Sequence, residues 1–405
     1  MAQSRRKSVM AHQFSQVPKA QIPRSSFDRS HGLKTTFDAG FLVPIYVDEV
    51  LPGDTFNLRM TAFSRMATPI HPLMDNLHME TFFFFTPNRL IWDQWQKFNG
   101  EQDNPGDSID FLVPQITVNN VADSSLWDYL GFPVGKNVTA NALHSRAYNL
   151  IWNEWFRDQN LQPATTVDKG NGPDTDTNYK LLRRGKRHDY FTSSLPWPQK
   201  GDPVTLPLQA TAPVAATEDF SAETTMVFGS VPSPGGPQRM GVAVSGSNRL
   251  AWDNATTPGA VNVVADLTQA SATTINALRQ AFQIQKMQER DARGGTRYTE
   301  IIRSHFGVIS PDARLQRPEF LGGGRSYINI NPVAQTSETQ SSGGATPQGN
   351  LSAFATASLD NHGFTRSFTE HGVIIGLVNV RADLTYQQGL NRMYSRRTRY
   401  RSEEH

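Results

Sequence analysis

Thr55-Phe56-Asn57-Leu58-Arg59-Met60-Thr61-Ala62-Phe63 is the stretch that decides the fold class. Phe56, Leu58, Met60 and Ala62 alternate with polar neighbours, the period of a strand with one buried face. Pro52-Gly53-Asp54, just upstream, carries the chemistry of a tight turn. A second strand is predicted from Leu77 to Phe85, ending in four consecutive phenylalanines, Phe82 to Phe85. A strand apolar on both sides must be covered on both. The cover is either a helix of the same chain or a neighbouring subunit. Phe82 and Phe84, with Trp92 and Trp95 beyond them, are therefore candidates for core or inter-subunit packing.

Outward from this pair of strands, Thr86 and Pro87 suit the start of a helix carrying Leu90, Ile91, Trp95 and Phe98 at helical spacing. A short helix is predicted after Ser124-Ser125, and a longer one from about Ala142 to Arg157 with a stripe of Leu143, Ala147, Leu150 and Ile151. From Thr273 an amphipathic helix runs to about Asp291, broken by Gly294-Gly295. A shorter one follows through Tyr298, Ile301, Ile302 and Phe306, stopped by Gly307. Strand character returns at Tyr327 to Ile330 and at Gly372 to Asp383, where Val373 to Val378 reads as fully buried. Residues 335–350 form a loop between them. The segment 196–272 opens with Pro196-Trp197-Pro198 and contains Ser233-Pro234-Gly235-Gly236-Pro237. It reads as an extended surface insertion, with Val204 to Leu206, Met226 to Phe228 and Val261 to Val264 as its β-formers. Residues 1–35 read as a basic, polar arm with no sustained period, and ordered structure is expected to begin near Phe37.

Composition agrees with a loop-rich, mainly β protein. The chain has 405 residues, of which 38% are hydrophobic and only 19% charged, and its 25 prolines would interrupt long helices repeatedly. With no cysteine, disulfides, thiol nucleophiles and thiolate zinc sites are excluded. The charged N-terminus, Met1 to Lys7, is not followed by the apolar run of a secretory signal. No apolar stretch approaches the ~20 residues that span a bilayer.

Catalytic constellations fail on inspection, and no cofactor is expected. His71 and His78 are seven apart around a proline, which does not make a metal site. Leu321-Gly322-Gly323-Gly324-Arg325 lacks the lysine and the strand-before, helix-after context of a phosphate loop, so a plain turn is expected there. The basic clusters are more informative. Net charge is only +2, but cations gather at Arg5, Arg6 and Lys7, at Arg183, Arg184, Lys186 and Arg187, and at Arg392, Arg396, Arg397, Arg399 and Arg401. Tyr190 and Phe191 accompany the second group, and Tyr394 and Tyr400 the third. Cations interleaved with rings hold single-stranded nucleic acid by neutralising phosphate and stacking bases. Arg5, Arg6, Lys7, Arg183, Arg184, Arg187, Arg392, Arg396, Arg397 and Arg399 are the candidate DNA contacts. The competing reading is a solvated basic face, or arginines paired with acidic groups on a neighbouring subunit.

Several segments, in order, resemble the major capsid protein of the gokushovirus branch of the Microviridae. The most specific is His78-Met79-Glu80-Thr81-Phe82-Phe83-Phe84-Phe85, continuing through Pro87-Asn88-Arg89-Leu90-Ile91-Trp92 to Trp95-Gln96-Lys97-Phe98-Asn99-Gly100-Glu101. Others are Ile22-Pro23-Arg24-Ser25, Asp189-Tyr190-Phe191-Thr192, Pro196 to Lys200, Arg297-Tyr298-Thr299-Glu300, His305-Phe306-Gly307, Arg317 to Gly323, and Arg392 to Tyr400. They span most of residues 20–400. The resemblance implies an eight-stranded antiparallel jelly roll with large loop and helical insertions. On that reading, 1–35 is the arm, 36–195 the first part of the jelly roll, 196–272 a variable surface insertion, and 273–405 the second part with a basic C-terminus. It implies a homo-oligomer, built through pentamers into an icosahedral shell around circular single-stranded DNA. It also implies a scaffolding protein, a small basic DNA-packaging protein, a host receptor met by the surface insertion, no membrane insertion, and assembly in the host bacterial cytoplasm.

The sequence departs from the family after Tyr400. Members continue through aromatic strand sequence there, and Arg401-Ser402-Glu403-Glu404-His405 does not match it. A jelly roll without its terminal strand is expected to show an unpaired sheet edge and an open core. That bears on competence for assembly. Two rivals remain at this point: a jelly-roll carbohydrate-binding or hydrolytic protein, and a monomeric single-strand-binding protein. Exposed tryptophan platforms would favour the first, and tight binding by an isolated monomer the second.

Overall fold

A computed structural model describes residues 24–69, 73–189, 195, 197–205, 274–336, 349–385 and 388–397, together with four very short strands between 214 and 265. The alternating segment forms strand β2 (Thr55–Arg65), with Phe56, Leu58, Met60 and Ala62 turned inward and their neighbours exposed. The Pro52-Gly53-Asp54 turn joins it to β1 (Val43–Val50), and the Asp54 carboxylate accepts from the Leu51 N–H at 3.1 Å. β3 (Asn76–Pro87) carries the phenylalanine run. A small hairpin of β4 (Gln115–Val118) and β5 (Val138–Asn141) follows, then the short pairs β6 (Val214–Ala216) with β9 (Val263–Ala265) and β7 (Gly241–Val242) with β8 (Leu250–Ala251). The chain closes its sheets with β10 (Glu319–Tyr327), β11 (Asn329–Ala334), β12 (Leu351–Ser367) and β13 (Gly372–Asp383).

Seven of these strands build two antiparallel sheets, ordered β1-β13-β3-β10 and β11-β12-β2. Strands from the first 90 residues interleave with strands from beyond residue 318. The turns between β1 and β2, and between β12 and β13, carry the chain from one sheet to the other. That is the wiring of a jelly-roll sandwich, here without a closed barrel. The three-stranded sheet leaves the outer edge of β2 without a strand partner among the described residues. Beside that edge a groove of about 2470 Å³ opens between the sheets, lined by Ile45, Met60, Met79, Ala357 and Val378 and bordered by the extended segment 24–39.

Helices form a third layer on the outer face of the four-stranded sheet. Ser125 caps α2 (Leu126–Tyr129) by accepting from the Asp128 N–H. α3 (Leu143–Ile151) runs on into a π turn, Trp152–Phe156, filling the span the sequence predicts. Even-numbered residues of β3 face this layer: Phe84 lies 5.3 Å from the Trp155 ring, and Phe82 lies 5.3 Å from Phe156. Odd-numbered residues face the other sheet, with Phe83 5.7 Å from Phe364 and Phe85 4.5 Å from Phe368. Both sides of the phenylalanine run are thus covered within the chain. The helical layer is pinned to the loop behind it by a fully buried ion pair. Arg146 donates from Nε to Asp174 at 2.8 Å and from a second nitrogen to the other carboxylate oxygen, and from its third to the carbonyls of Ile91 and Gly170. The Tyr179 hydroxyl donates to the same carboxylate at 2.5 Å.

Three expectations change. Thr86 stays in β3, which pairs through Pro87 with Gly372, while the Asn88 N–H binds the His371 carbonyl. The sheet therefore holds the residues that would have begun a helix. Only a 3-10 turn (Asn88–Leu90) and the four-residue α1 (Trp95–Phe98) follow. The Gly322–Gly324 run is not a turn but the middle of β10. A Cβ at Gly322 would sit 2.6 Å from the Gly363 carbonyl oxygen, and one at Gly324 would sit 2.4 Å from the His362 ring. The glycines let β12 cross close by where the sheets meet. Finally, β12 falls where no element is expected. Its inward residues Ala353, Ala355 and Ala357 keep period two but are weak strand formers.

The later helices follow the sequence closely. α4 (Ile275–Gly294) is capped by Thr274, and α5 (Tyr298–Phe306) ends at Gly307. Short α6 (Arg392–Ser395) is capped by Asn391.

Candidate nucleic-acid interface

At one end of the four-stranded sheet, the apolar stripe of β3 turns into a charged one. His78 and Glu80 continue the face that carries Phe82 and Phe84, two residues apart along the same strand. Register brings Arg325 of β10 opposite Glu80, and Tyr327 of β10 and Arg381 of β13 opposite His78. The segment 183–189 crosses the same place, held by backbone hydrogen bonds from Leu42 to Leu182 and from Arg184 to Gly40.

Glu80 is the hub. Its carboxylate accepts from Arg184, lies 3.3 Å from Arg187 and 3.1 Å from Arg381. Burial alone would raise its pKa, but the Arg184 and Arg381 charges outweigh it and hold the carboxyl below its ordinary value. Arg187 reaches on to Asp383 at 3.1 Å. Asp383 also meets His78 at 2.6 Å and Arg325 at 3.6 Å. The His78 hydrogen bond is the main cause of a lowered Asp383 pKa. Arg184 lies over the Phe82 ring at 4.7 Å, where burial and the nearby Arg381 push its pKa down. Four guanidinium groups thus share two carboxylates, leaving two positive charges in excess within the network.

The basic candidates from the sequence fall in different places. Arg184 and Arg187 are in this network, tied to acids of their own chain. Arg183 is exposed, with its guanidinium 4.5 Å over the Phe41 ring. Arg392 belongs to α6, and Arg396 and Arg397 follow it, exposed. Arg5, Arg6, Lys7 and Arg399, with Tyr190, Phe191 and Tyr400, lie outside the described residues. Of the packing candidates, Phe84 and Trp92 are buried in the main core, and Phe82 and Trp95 pack against it. Trp92 donates to Asn171 at 2.9 Å. Sequence reasoning missed Glu80, Arg325, Arg381, Asp383 and Tyr327, which come together only through strand register. The available signal was Glu80 itself, since a carboxylate in a buried apolar strand demands cations.

Among the described residues no group of three or more His, Asp or Glu could hold a metal, and no helix is long and apolar enough to cross a membrane. None of the described tryptophans is exposed.

Comparison with known proteins decides the family. Residues 15–403 match the family described as "Capsid protein (F protein)". The chain belongs to this capsid protein family. It is 47% identical over 406 residues to capsid protein VP1 of Bdellovibrio phage phiMH2K, covering 96% of this chain and 75% of that protein. To capsid protein VP1 of Chlamydia phage 1 it is 42% identical, covering 97% and 77%. The VP1 of Spiroplasma virus 4 is 38% identical, with 95% and 74% covered. The chain therefore spans about three quarters of the length of these relatives. As a major capsid protein it has a structural role in the virion, self-assembling into a shell.

Proposed function

We propose that the shell built by this capsid protein encloses a circular single-stranded DNA genome and meets it through basic, ring-bearing surfaces. The observation that carries this reading is the excess of positive charge at the Glu80–Asp383 network in a family of capsid proteins. A net charge of only +2 means the coat alone neutralises little phosphate, which fits a separate small basic packaging protein as the main counterion. Pentamers as assembly units, a scaffolding protein and assembly in the host cytoplasm belong to the same proposal. So do the packing roles of Phe82, Phe84, Trp92 and Trp95, which the geometry favours as core rather than contact residues. Arg5, Arg6, Lys7, Arg183, Arg392, Arg396, Arg397 and Arg399 are the remaining candidate contacts. Arg184 is the weakest, since Glu80 already occupies it.

The insertion 196–272 is proposed to face the host receptor. Deleting 210–265 should leave particles intact and reduce adsorption, and a deletion particle that adsorbs normally sinks that idea. The genome reading is tested on nucleic acid extracted from purified particles. Digestion by a single-strand-specific nuclease, with no free ends for exonuclease, is expected. Duplex DNA or RNA would overturn it.

A further inference from the structure

Tyr327 ends β10 at the rim of the charged network with 67% of its surface exposed. Its position is fixed rather than loose. The ring stands edge-on to the buried His78 ring at 4.7 Å, and the Arg325 guanidinium lies 5.4 Å from its centroid. The most open cations of the network, Arg187 and Arg325, are each about one third exposed. Arg184 and Arg381 lie deeper, against Glu80.

We propose that this corner is a nucleotide subsite, in which Arg187 and Arg325 take a phosphodiester of single-stranded DNA and Tyr327 stacks the adjoining base. The proposal rests on the single-stranded genome read above and names residues for it. Glu80 and Asp383 hold the guanidinium groups in place, and the two positive charges by which the four arginines exceed these two carboxylates supply the attraction for a phosphate. A free phosphate or an acidic peptide would use the arginines and leave the ring idle. A duplex keeps its bases stacked inside, out of reach of Tyr327. An unpaired base beside a phosphate uses both features.

The test is fluorescence anisotropy of a labelled oligothymidylate, titrated with the full chain over a series of NaCl concentrations. Variants are Tyr327→Leu, Tyr327→Phe and Arg325→Gln. The last leaves Asp383 with Arg187 and His78, so no carboxylate is stranded, and circular dichroism checks that each variant is folded. Tyr327→Leu is expected to weaken binding about 5- to 100-fold without altering the salt slope, while Tyr327→Phe binds like the parent. Arg325→Gln is expected to reduce the slope of log K against log salt by about 0.7. An abasic strand of equal length should not distinguish Tyr327 from Leu, and inorganic phosphate should compete only weakly. Parent-like binding by Tyr327→Leu, or an abasic strand bound as tightly as thymidylate, overturns the subsite alone. If the parent shows no salt-sensitive binding of single strands, the subsite falls together with the genome reading.

Discussion

Replacing Asp174 by Ala should be among the most damaging single changes in this capsid protein. Arg146 and Asp174 are fully buried, with side-chain exposures of 0% and 1%. Removing the carboxylate leaves a guanidinium inside the core hydrogen-bonded to the Ile91 and Gly170 carbonyls but without its ion-pair partner. It also deprives the Tyr179 hydroxyl of its acceptor. Breaking a buried pair from one side costs about 3–5 kcal/mol. The orphaned hydroxyl adds about 1–3 kcal/mol, less than additively because the groups share one network. A loss of about 4–6 kcal/mol follows. With an unfolding entropy of roughly 2 cal/mol/K per residue, that is a drop of about 5–7 °C in midpoint for a chain this long. Thermal unfolding followed by near-ultraviolet circular dichroism reads it directly. The double variant Arg146→Met with Asp174→Leu should recover part of the loss, because no buried charge is left unpaired, although the Tyr179 hydroxyl still lacks its acceptor. A single variant within 1 °C of the parent, or a double variant worse than the single, would refute the reasoning.

Three further outcomes follow from the same geometry. Phe84→Ala should cost about 3–5 kcal/mol by opening a cavity under Trp155 and Phe156, whereas Phe63→Ala, at an exposed position on β2, should stay within about 0.5 kcal/mol in denaturant titration. Gly322→Ala should destabilise by about 1–3 kcal/mol, since its methyl meets the Gly363 carbonyl, and soluble yield at elevated temperature will show it. For Glu80, the folded carboxyl titrates below its ordinary 4.5, so the unfolded chain binds the extra proton. Its contribution is complete above that value and is lost as pH falls through the lowered folded one. The stability gap between the parent and Glu80→Gln should therefore narrow on acidification below about pH 4.5, and a gap that widens there counts against the arrangement.

What could be read from the sequence divides along physical lines. β2, β13, α4 and α5 were legible because each is a local pattern: an alternation, a continuous apolar run, or a periodic stripe ended by glycine. β12 was hidden because alanine carries its inward face, and alanine says little about strands. The helix expected after Thr86 failed because tertiary pairing with β13 overrode a good local start signal. The triple glycine of β10 has no local meaning at all. Its reasons are non-local: a Cβ at Gly322 would meet the Gly363 carbonyl of β12, one at Gly323 the Thr81 carbonyl of β3, and one at Gly324 the His362 ring. The charged corner was equally opaque, since Glu80, Arg187, Arg325 and Asp383 lie as far as 303 positions apart and meet only once the sheet is built. Arg184 and Arg187 were visible as a basic cluster, but not their acids, and so not that much of their charge is met within the chain.

The most direct test of the central claim is sedimentation velocity on the purified chain across the accessible concentration range, with electron microscopy of any fast-sedimenting fraction. Discrete oligomers that build closed, uniform particles are the predicted result. A well-folded monomer at every concentration, with no particle in any fraction, would contradict the account.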